Sequence, residues 1–206
     1  MSVLEIFLFL HRQNLLQHAP NKYWWPNAGT FEVVVSAVLT QNTTWKNVEK
    51  SLKNLDGFLD LDCFVTLDEA TLKEKIRPSG FYNQKAPRLL ALADSIRRDF
   101  QTFENFTKNV TREWLLVQKG IGKESADAIL CYAALKPVMV IDAYTKRTLA
   151  SFGIEMQSYE AYQEFLQEGV LKNWESISSL CENDLTLCFA RFHGMFVEYN
   201  KLQKKK

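Results

Sequence analysis

The chain has 206 residues, of which 47% are hydrophobic and 24% charged, values that exclude a disordered, collagen-like or repeat-only protein. Eight glycines and five prolines leave few tight turns, which weighs against many-stranded β architectures. A formal net charge of +1 provides no global basic field, so any nucleic-acid binding must rest on local groups.

The length suits one large domain or two small ones. Val3–Leu10 is apolar but broken by Glu5, and it lacks a basic flank and a small-residue cleavage site, so no secretory leader is expected. No run of 18 apolar residues occurs, so no membrane span is expected. Phe31, Val34, Val35, Val38, Asn42 and Trp45 keep helical spacing with one polar interruption, and predict a helix through the whole stretch. Leu89, Leu92, Ala93, Ile96 and Phe100 predict a second helix, with Pro87 near its first turn, where a missing N–H costs nothing. Val138–Ile141 alone reads as extended, and four residues do not make a sheet. Tyr159, Tyr162, Leu166 and Val170 predict a helix capped by Ser158. Leu185, Cys188, Phe189, Phe192, Phe196 and Tyr199 predict another, capped by Asn183 or Asp184. The expected fold class is all-α. The four cysteines, Cys63, Cys131, Cys181 and Cys188, are dispersed, as reduced thiols of a cytosolic protein are. Lys204–Lys206 is the one low-complexity stretch.

The most informative segment is Leu115–Leu130. A helix capped by Thr111 is predicted to stop at Gly120-Ile121-Gly122, and a second runs through Ser125, Ala126, Ile129 and Leu130. Two glycines allow a tight reversal because glycine accepts positive φ, and Ile121 can plug between the helices. The second helix then offers N–H groups of Gly122, Lys123 and Glu124 at its N-terminus, a setting suited to a phosphate, with Lys119 and Lys123 adding charge. An αα-hairpin with a glycine turn and no ligand has the same pattern. No strand precedes it and no third glycine follows, so it is not a dinucleotide fingerprint.

Asp142 comes next, in Val140-Ile141-Asp142-Ala143. This hairpin and Asp resemble the helix-hairpin-helix DNA glycosylases of the endonuclease III superfamily, whose motif L-x-G-[IV]-G-x-x-[ST]-A precedes an Asp that opens the next helix. Ala37–Thr43 is similar to the family segment whose Gln enters the duplex, placing Gln41 there. Gly80-Phe81-Tyr82-Asn83-Gln84-Lys85-Ala86 resembles G-[LF]-Y-N-x-K-A, and Phe192-His193-Gly194 resembles the closing L-H-G. These matches span roughly residues 30–200. The resemblance implies a two-lobed all-α fold with an active-site cleft between lobes. One lobe is expected at 28–138, with the hairpin at 111–134, and the other at 1–27 and 139–206.

Two departures separate the chain from endonuclease III. Bifunctional members carry a Schiff-base Lys two residues after the second glycine, where this chain has Glu124. Lys123 lies one residue earlier, a rotation of about 100° on a helix. The resemblance therefore implies a monofunctional enzyme with water as nucleophile and no lyase activity. The family's iron–sulfur loop, C-x6-C-x2-C-x5-C, follows L-H-G. Cys181 and Cys188 have the x6 spacing but precede His193-Gly194, Arg191 occupies the third position, and four thiolates are required. No metal or other cofactor is expected. Among monofunctional members the chain is most similar to the bacterial 3-methyladenine DNA glycosylases of endonuclease III type, through Trp24-Trp25-Pro26-Asn27, Leu39–Thr43, Arg77–Lys85 and Gly120–Cys131.

The reaction implied by the resemblance is hydrolysis of an N-glycosidic bond. Asp142 is the candidate catalytic carboxylate, balancing charge on the sugar and orienting water, although an N-cap alone explains the same residue. Trp24, Trp25, Pro26, Trp45, Glu124 and Lys201 are candidates for the base pocket. The tryptophans are equally compatible with a core, and Lys201 with a solvated tail. Gln41, Gly120, Gly122, Lys119 and Lys123 are candidates for DNA contact, Gln41 alternatively as a loop cap. The expected partner is double-stranded DNA with alkylated bases, bound by a monomer in the bacterial cytoplasm. A non-catalytic hairpin module, or a glycosylase for another lesion or mismatch, are the competing readings.

Overall fold

A computed structural model of the chain describes residues 1–203; the Lys204–Lys206 run lies outside the described residues. The described residues form helices and no strand, so the fold is all-α. The chain divides into two compact units: Gly29–Ala134, and Met1–Ala28 together with the described part of Leu135–Lys206. The first helix in the chain, α1 (Val3–Arg12), belongs to the second of these. No described helix is long and apolar enough to cross a membrane.

The Gly29–Ala134 unit is built around α2 (Phe31–Leu39), in which all residues but Glu32 are buried. A helix apolar on every side must be surrounded, which is why the β-branched Val33-Val34-Val35 run settles here as helix. The single helix predicted through Trp45 is in fact two. The chain leaves α2 at Thr40, turns through Asn42 in the left-handed region (φ 53°), and restarts as α3 (Trp45–Asn54). Asn tolerates that conformation better than most residues, so the polar interruption marks a break. Two short helices, α4 (Leu61–Phe64) and α5 (Glu69–Lys75), carry Asp caps, Asp60 and Asp68, bonded to Cys63 N–H and Thr71 N–H at 2.9 Å each.

The predicted Leu89–Phe100 stripe lies on α6 (Tyr82–Phe100), with Leu89, Leu92, Ala93 and Ile96 buried. Pro87 is not in its first turn as expected. The helix starts five residues earlier than the proline, which therefore lies inside it. There its ring removes the N–H that would reach the Asn83 carbonyl. Next come α7 (Phe103–Asn109), α8 (Arg112–Leu116) and α9 (Lys123–Ala128). Phe100, Phe106 and Trp114 meet edge-on, with centroids 5.0–5.8 Å apart, and lock α6, α7 and α8 together. α9 widens into a π turn over Ile129–Ala133, where the Ala134 N–H donates to Ile129 C=O at 3.0 Å.

The other unit packs α1 against α11 (Tyr159–Lys172) and α13 (Leu185–Gln203), with α10 (Ala143–Ser151) on α13 and α12 (Trp174–Ile177) on α11. Ser2 and Glu5 form a reciprocal cap on α1. Ser158 caps α11 and Asp184 caps α13, through the Ala161 and Leu187 N–H groups. Ile6, Phe7, Leu10, Leu166, Phe189, Phe192 and Phe196 form the core.

Candidate functional site

Asp142 is the N-cap of α10, and its position is fixed from both sides. Before it, residues 138–141 belong to no helix or strand, so their backbone needs other partners. α11 supplies them. Gln163 Nε2 donates to Met139 O at 2.7 Å, Gln167 Oε1 accepts from Met139 N at 3.0 Å, and the Tyr159 hydroxyl accepts from Ile141 N at 3.3 Å. After it, the Thr145 N–H donates to Asp142 Oδ1 at 2.7 Å. The other carboxylate oxygen lies 3.4 Å from His193 Nε2, and the Asp142 side chain keeps only 13% of its surface. Burial pushes this carboxyl up, but the His193 imidazole and the Thr145 bonds outweigh it and leave it below the usual carboxylate range. A nearly buried carboxylate that stays ionised is the central chemical feature of this unit.

Trp24 adjoins it through His193, their rings edge-on with centroids 5.4 Å apart. Trp24 has φ +72°, a conformation bulky residues rarely adopt. Such a residue persists where its surroundings over-determine it. Its N–H donates to Asn21 O, Asn21 Oδ1 accepts from Tyr23 N, and Asn21 Nδ2 donates to Trp25 O at 2.6 Å. The indole Nε1 donates to Glu198 Oε1 at 3.1 Å, and Lys201 Nζ binds the same oxygen at 2.8 Å while standing 6.0 Å over the Trp24 ring. Gly194 makes the approach possible: a Cβ there would lie 2.5 Å from Trp24 Cγ. This contact gives the glycine of the H-G motif its physical reason. The structure thus brings Asp142, Trp24 and Lys201 together. Trp25 is 7% exposed and part of the core, edge-on to Trp24, while Pro26 is half-buried. Composition and spacing did not single out Glu198; its signal is a carboxylate on the apolar α13, three residues before Lys201.

The remaining predicted residues lie in the Gly29–Ala134 unit. Thr111 caps α8 by accepting from Trp114 N at 3.2 Å, and Ile121 is buried in the hairpin. Arg112 Nε and Nη2 bind both oxygens of the fully buried Asp127, at 2.7 and 3.1 Å, and join α8 to α9. Only Gly120 has the positive φ expected of both glycines, at +86°. Gly122 is extended (φ −92°), and a Cβ there would meet nothing within 4 Å, so the fold itself does not require glycine at this position. Lys119, Gly122, Lys123 and Glu124 are exposed. Gln41 is tied to the hairpin, its Nε2 donating to Gly120 O at 3.0 Å and Ser125 Oγ at 2.9 Å. Trp45 is half-buried at the start of α3, bonded to Glu49 at 3.1 Å. Phe81, part of the Gly80–Ala86 match but given no role by it, is 58% exposed in the left-handed region (φ 49°), at the corner before α6. Its signal was an aromatic side chain beside a glycine in a polar stretch.

The cysteines do not fit an iron–sulfur cluster. Cys181 and Cys188 are buried in the α13 core, where their mutual hydrogen bond and burial push the Cys188 thiol up. Cys63 and Cys131 belong to the other unit, and among the described residues no group of three or more His, Cys, Asp or Glu is placed to hold a metal.

Residues 35–172 match the HhH-GPD superfamily of base excision DNA repair proteins, and the chain belongs to that superfamily. Among solved structures, a Helicobacter pylori 3-methyladenine DNA glycosylase bound to 1,N6-ethenoadenine is 48% identical. That match covers 98% of this chain and 99% of that one, with a TM-score of 0.93. A Methanocaldococcus jannaschii protein classed as a DNA repair glycosylase is 37% identical over 196 residues, covering 91% of this chain and 84% of the relative. A non-covalent complex of endonuclease III with DNA shares the fold at 17% identity, with a TM-score of 0.72 over 96% of this chain and 85% of that one.

Proposed function

We propose that the protein is a monofunctional DNA glycosylase that hydrolyses the N-glycosidic bond of alkylated purines, chiefly 3-methyladenine, in base excision repair. It acts as a monomer on double-stranded DNA in the bacterial cytoplasm, without a metal cluster. The observation that carries this reading is the buried, ionised Asp142 beside the constrained ring of Trp24. The 48% identity to a 3-methyladenine glycosylase supports the substrate class.

Base departure leaves positive charge on the sugar, and the Asp142 carboxylate balances it and orients the attacking water. Water adds its oxygen to the anomeric carbon, its proton goes to solvent, and the base leaves with the bonding electron pair. A 3-methylated adenine is cationic and leaves as a neutral molecule, so it needs no strong general acid. Selectivity then falls to binding, and the Trp24 face attracts the cation by about 0.5–2 kcal/mol over the neutral base. Lys201, on the same ring, is assigned to its surroundings, with Glu198 holding the indole. Trp25 and Pro26 support the Trp24 turn. Trp45 is a second candidate ring, and Glu124 replaces the lyase lysine.

Gln41 and the exposed ring of Phe81 are assigned to the duplex, filling the space an extruded nucleotide leaves. Gly122, whose missing side chain the fold does not need, is assigned to close approach of a phosphate, flanked by Lys119 and Lys123. Replacing both lysines by Ala is expected to flatten log K against log salt by up to about 2, at about 0.9 per phosphate. An unchanged slope would move the phosphate contact elsewhere.

Methylated duplex DNA tests the function directly. Chromatography of the released bases is expected to show 3-methyladenine first, with no strand cleavage and no borohydride-trapped protein–DNA adduct, since a carboxylate forms no imine. Preferential release of uracil or oxidised pyrimidines would overturn the substrate class, and a trapped adduct would overturn monofunctionality.

A further inference from the structure

Among the described residues Lys85 is the one lysine buried to 1% exposure, and the chemistry of base release does not use it. Its Nζ donates to Leu39 O at 2.8 Å and Ser79 O at 2.9 Å. Both acceptors are carbonyls and neither is a carboxylate, so these bonds bring the buried ammonium no opposite charge. Burial alone brings it down to about 8. An apolar side chain would fill such a space at less cost, so the reason for a lysine here lies in those two carbonyls.

Both carbonyls end helical segments. Leu39 is the last residue of α2, and Ser79 ends the 3₁₀ turn Arg77–Ser79. Terminal carbonyls lack partners along the helix and carry its negative end, which suits a cation. Beyond each carbonyl the chain reverses in the left-handed region. After Leu39 come Thr40, Gln41 and Asn42 (φ 53°); after Ser79 come Gly80 (φ 68°) and Phe81 (φ 49°). A single ammonium therefore stands at the root of both segments that carry the side chains assigned to the duplex. Leu39, Ser79 and Lys85 are each exposed by 1% or less, so this junction has little room to relax.

We propose that Lys85 is a positioning residue for base extrusion: it ties the Gln41 segment to the Phe81 corner and sets the spacing of the two side chains that enter the DNA. The proposal rests on the assignment of Gln41 and Phe81 to the duplex. Gln41 extends the same chain of bonds to Gly120 and Ser125 of the hairpin, so three segments share one register.

The test compares excision from methylated duplex DNA with excision from the same DNA heat-denatured, where no base needs to be unpaired. Lys85→Met is expected to lower the duplex rate by about 10²-fold, the loss that misplacing a supporting group by about 1 Å brings, while the denatured substrate is processed as before. Gln41→Ala and Phe81→Ala are expected to lose duplex activity as well, and Lys85→Met combined with Gln41→Ala to lose no more than the worse single variant. If Lys85→Met fails to fold, Lys85→Arg, which keeps the charge but spaces the donors differently, carries the same comparison. Equal loss on both substrates, or no loss on the duplex, overturns the role of Lys85. Full duplex activity in Gln41→Ala and Phe81→Ala overturns the underlying assignment instead.

Discussion

Asp142→Asn is expected to fold normally and to release base about 10²–10³-fold more slowly, the loss typical of removing one transition-state electrostatic group. Normal folding is expected from the cap. Asn serves at an N-cap about as well as Asp, so the bond from the Thr145 N–H at 2.7 Å survives the change. The charge is lost. The wild-type carboxylate is held below the usual range despite burial, so it is fully ionised at neutral pH. Because its folded value is depressed, the stability it adds is present above the unfolded value of about 3.9 and fades as pH falls through the lower folded one. The acidic limb that Asp142 contributes to the rate profile therefore lies below about pH 4. Single-turnover kinetics with an intact melting transition check this. Near-wild-type turnover in the Asn variant would reduce Asp142 to a helix cap.

Where helical periodicity is set by one-sided burial, the sequence was enough. The Leu89–Ile96 stripe, the Ser158 cap and the α13 apolar run all appear where the 3.6-residue spacing put them. It failed where the period ran on across a break. Trp45 is in phase with Phe31 by spacing, yet the backbone turns at Asn42, because a left-handed residue costs Asn little and leaves the arithmetic of spacing unaltered. Pro87 was misplaced for a related reason: the start of α6 is set by the Gly80-Phe81 corner, and tertiary packing overrides the proline penalty inside the helix.

The candidate site was legible as motifs and not as geometry. Asp142 was found through its place after the hairpin, but the side chains that hold the preceding segment, Gln163, Gln167 and Tyr159, lie on a helix beginning 17 residues later. No short-range pattern points to such a bond. The same holds for Glu198 and Trp24, whose contact joins positions 174 residues apart. The Gly120–Gly122 pair shows the reverse limit. Sequence treats the two glycines alike, while backbone angles separate a conformational requirement at Gly120 from open space at Gly122.

Arg112→Met is expected to destabilise the Gly29–Ala134 unit by about 3–5 kcal/mol, the cost of leaving a buried charge without its partner. Asp127 is wholly buried, and Arg112, about one quarter exposed, grips both its oxygens. Methionine retains the aliphatic bulk of the side chain but removes all of its donors. The buried carboxylate then loses the guanidinium that grips both its oxygens, which weakens the hairpin. α8 and α9 are short, at five and six residues, so neither is stable alone, and this pair is a polar tie between them. Loss of the hairpin register would spread the groups assigned to phosphate, so DNA affinity is expected to fall with stability. Urea denaturation measures the first effect as a lower midpoint at unchanged slope. The double variant Arg112→Met, Asp127→Leu separates charge from packing: replacing both partners by apolar groups removes the orphaned charge and is expected to recover most of the loss. A single-variant cost under about 1 kcal/mol would mean that the pair behaves as an ordinary surface bridge and that the hairpin is held by Ile121 and its apolar neighbours instead.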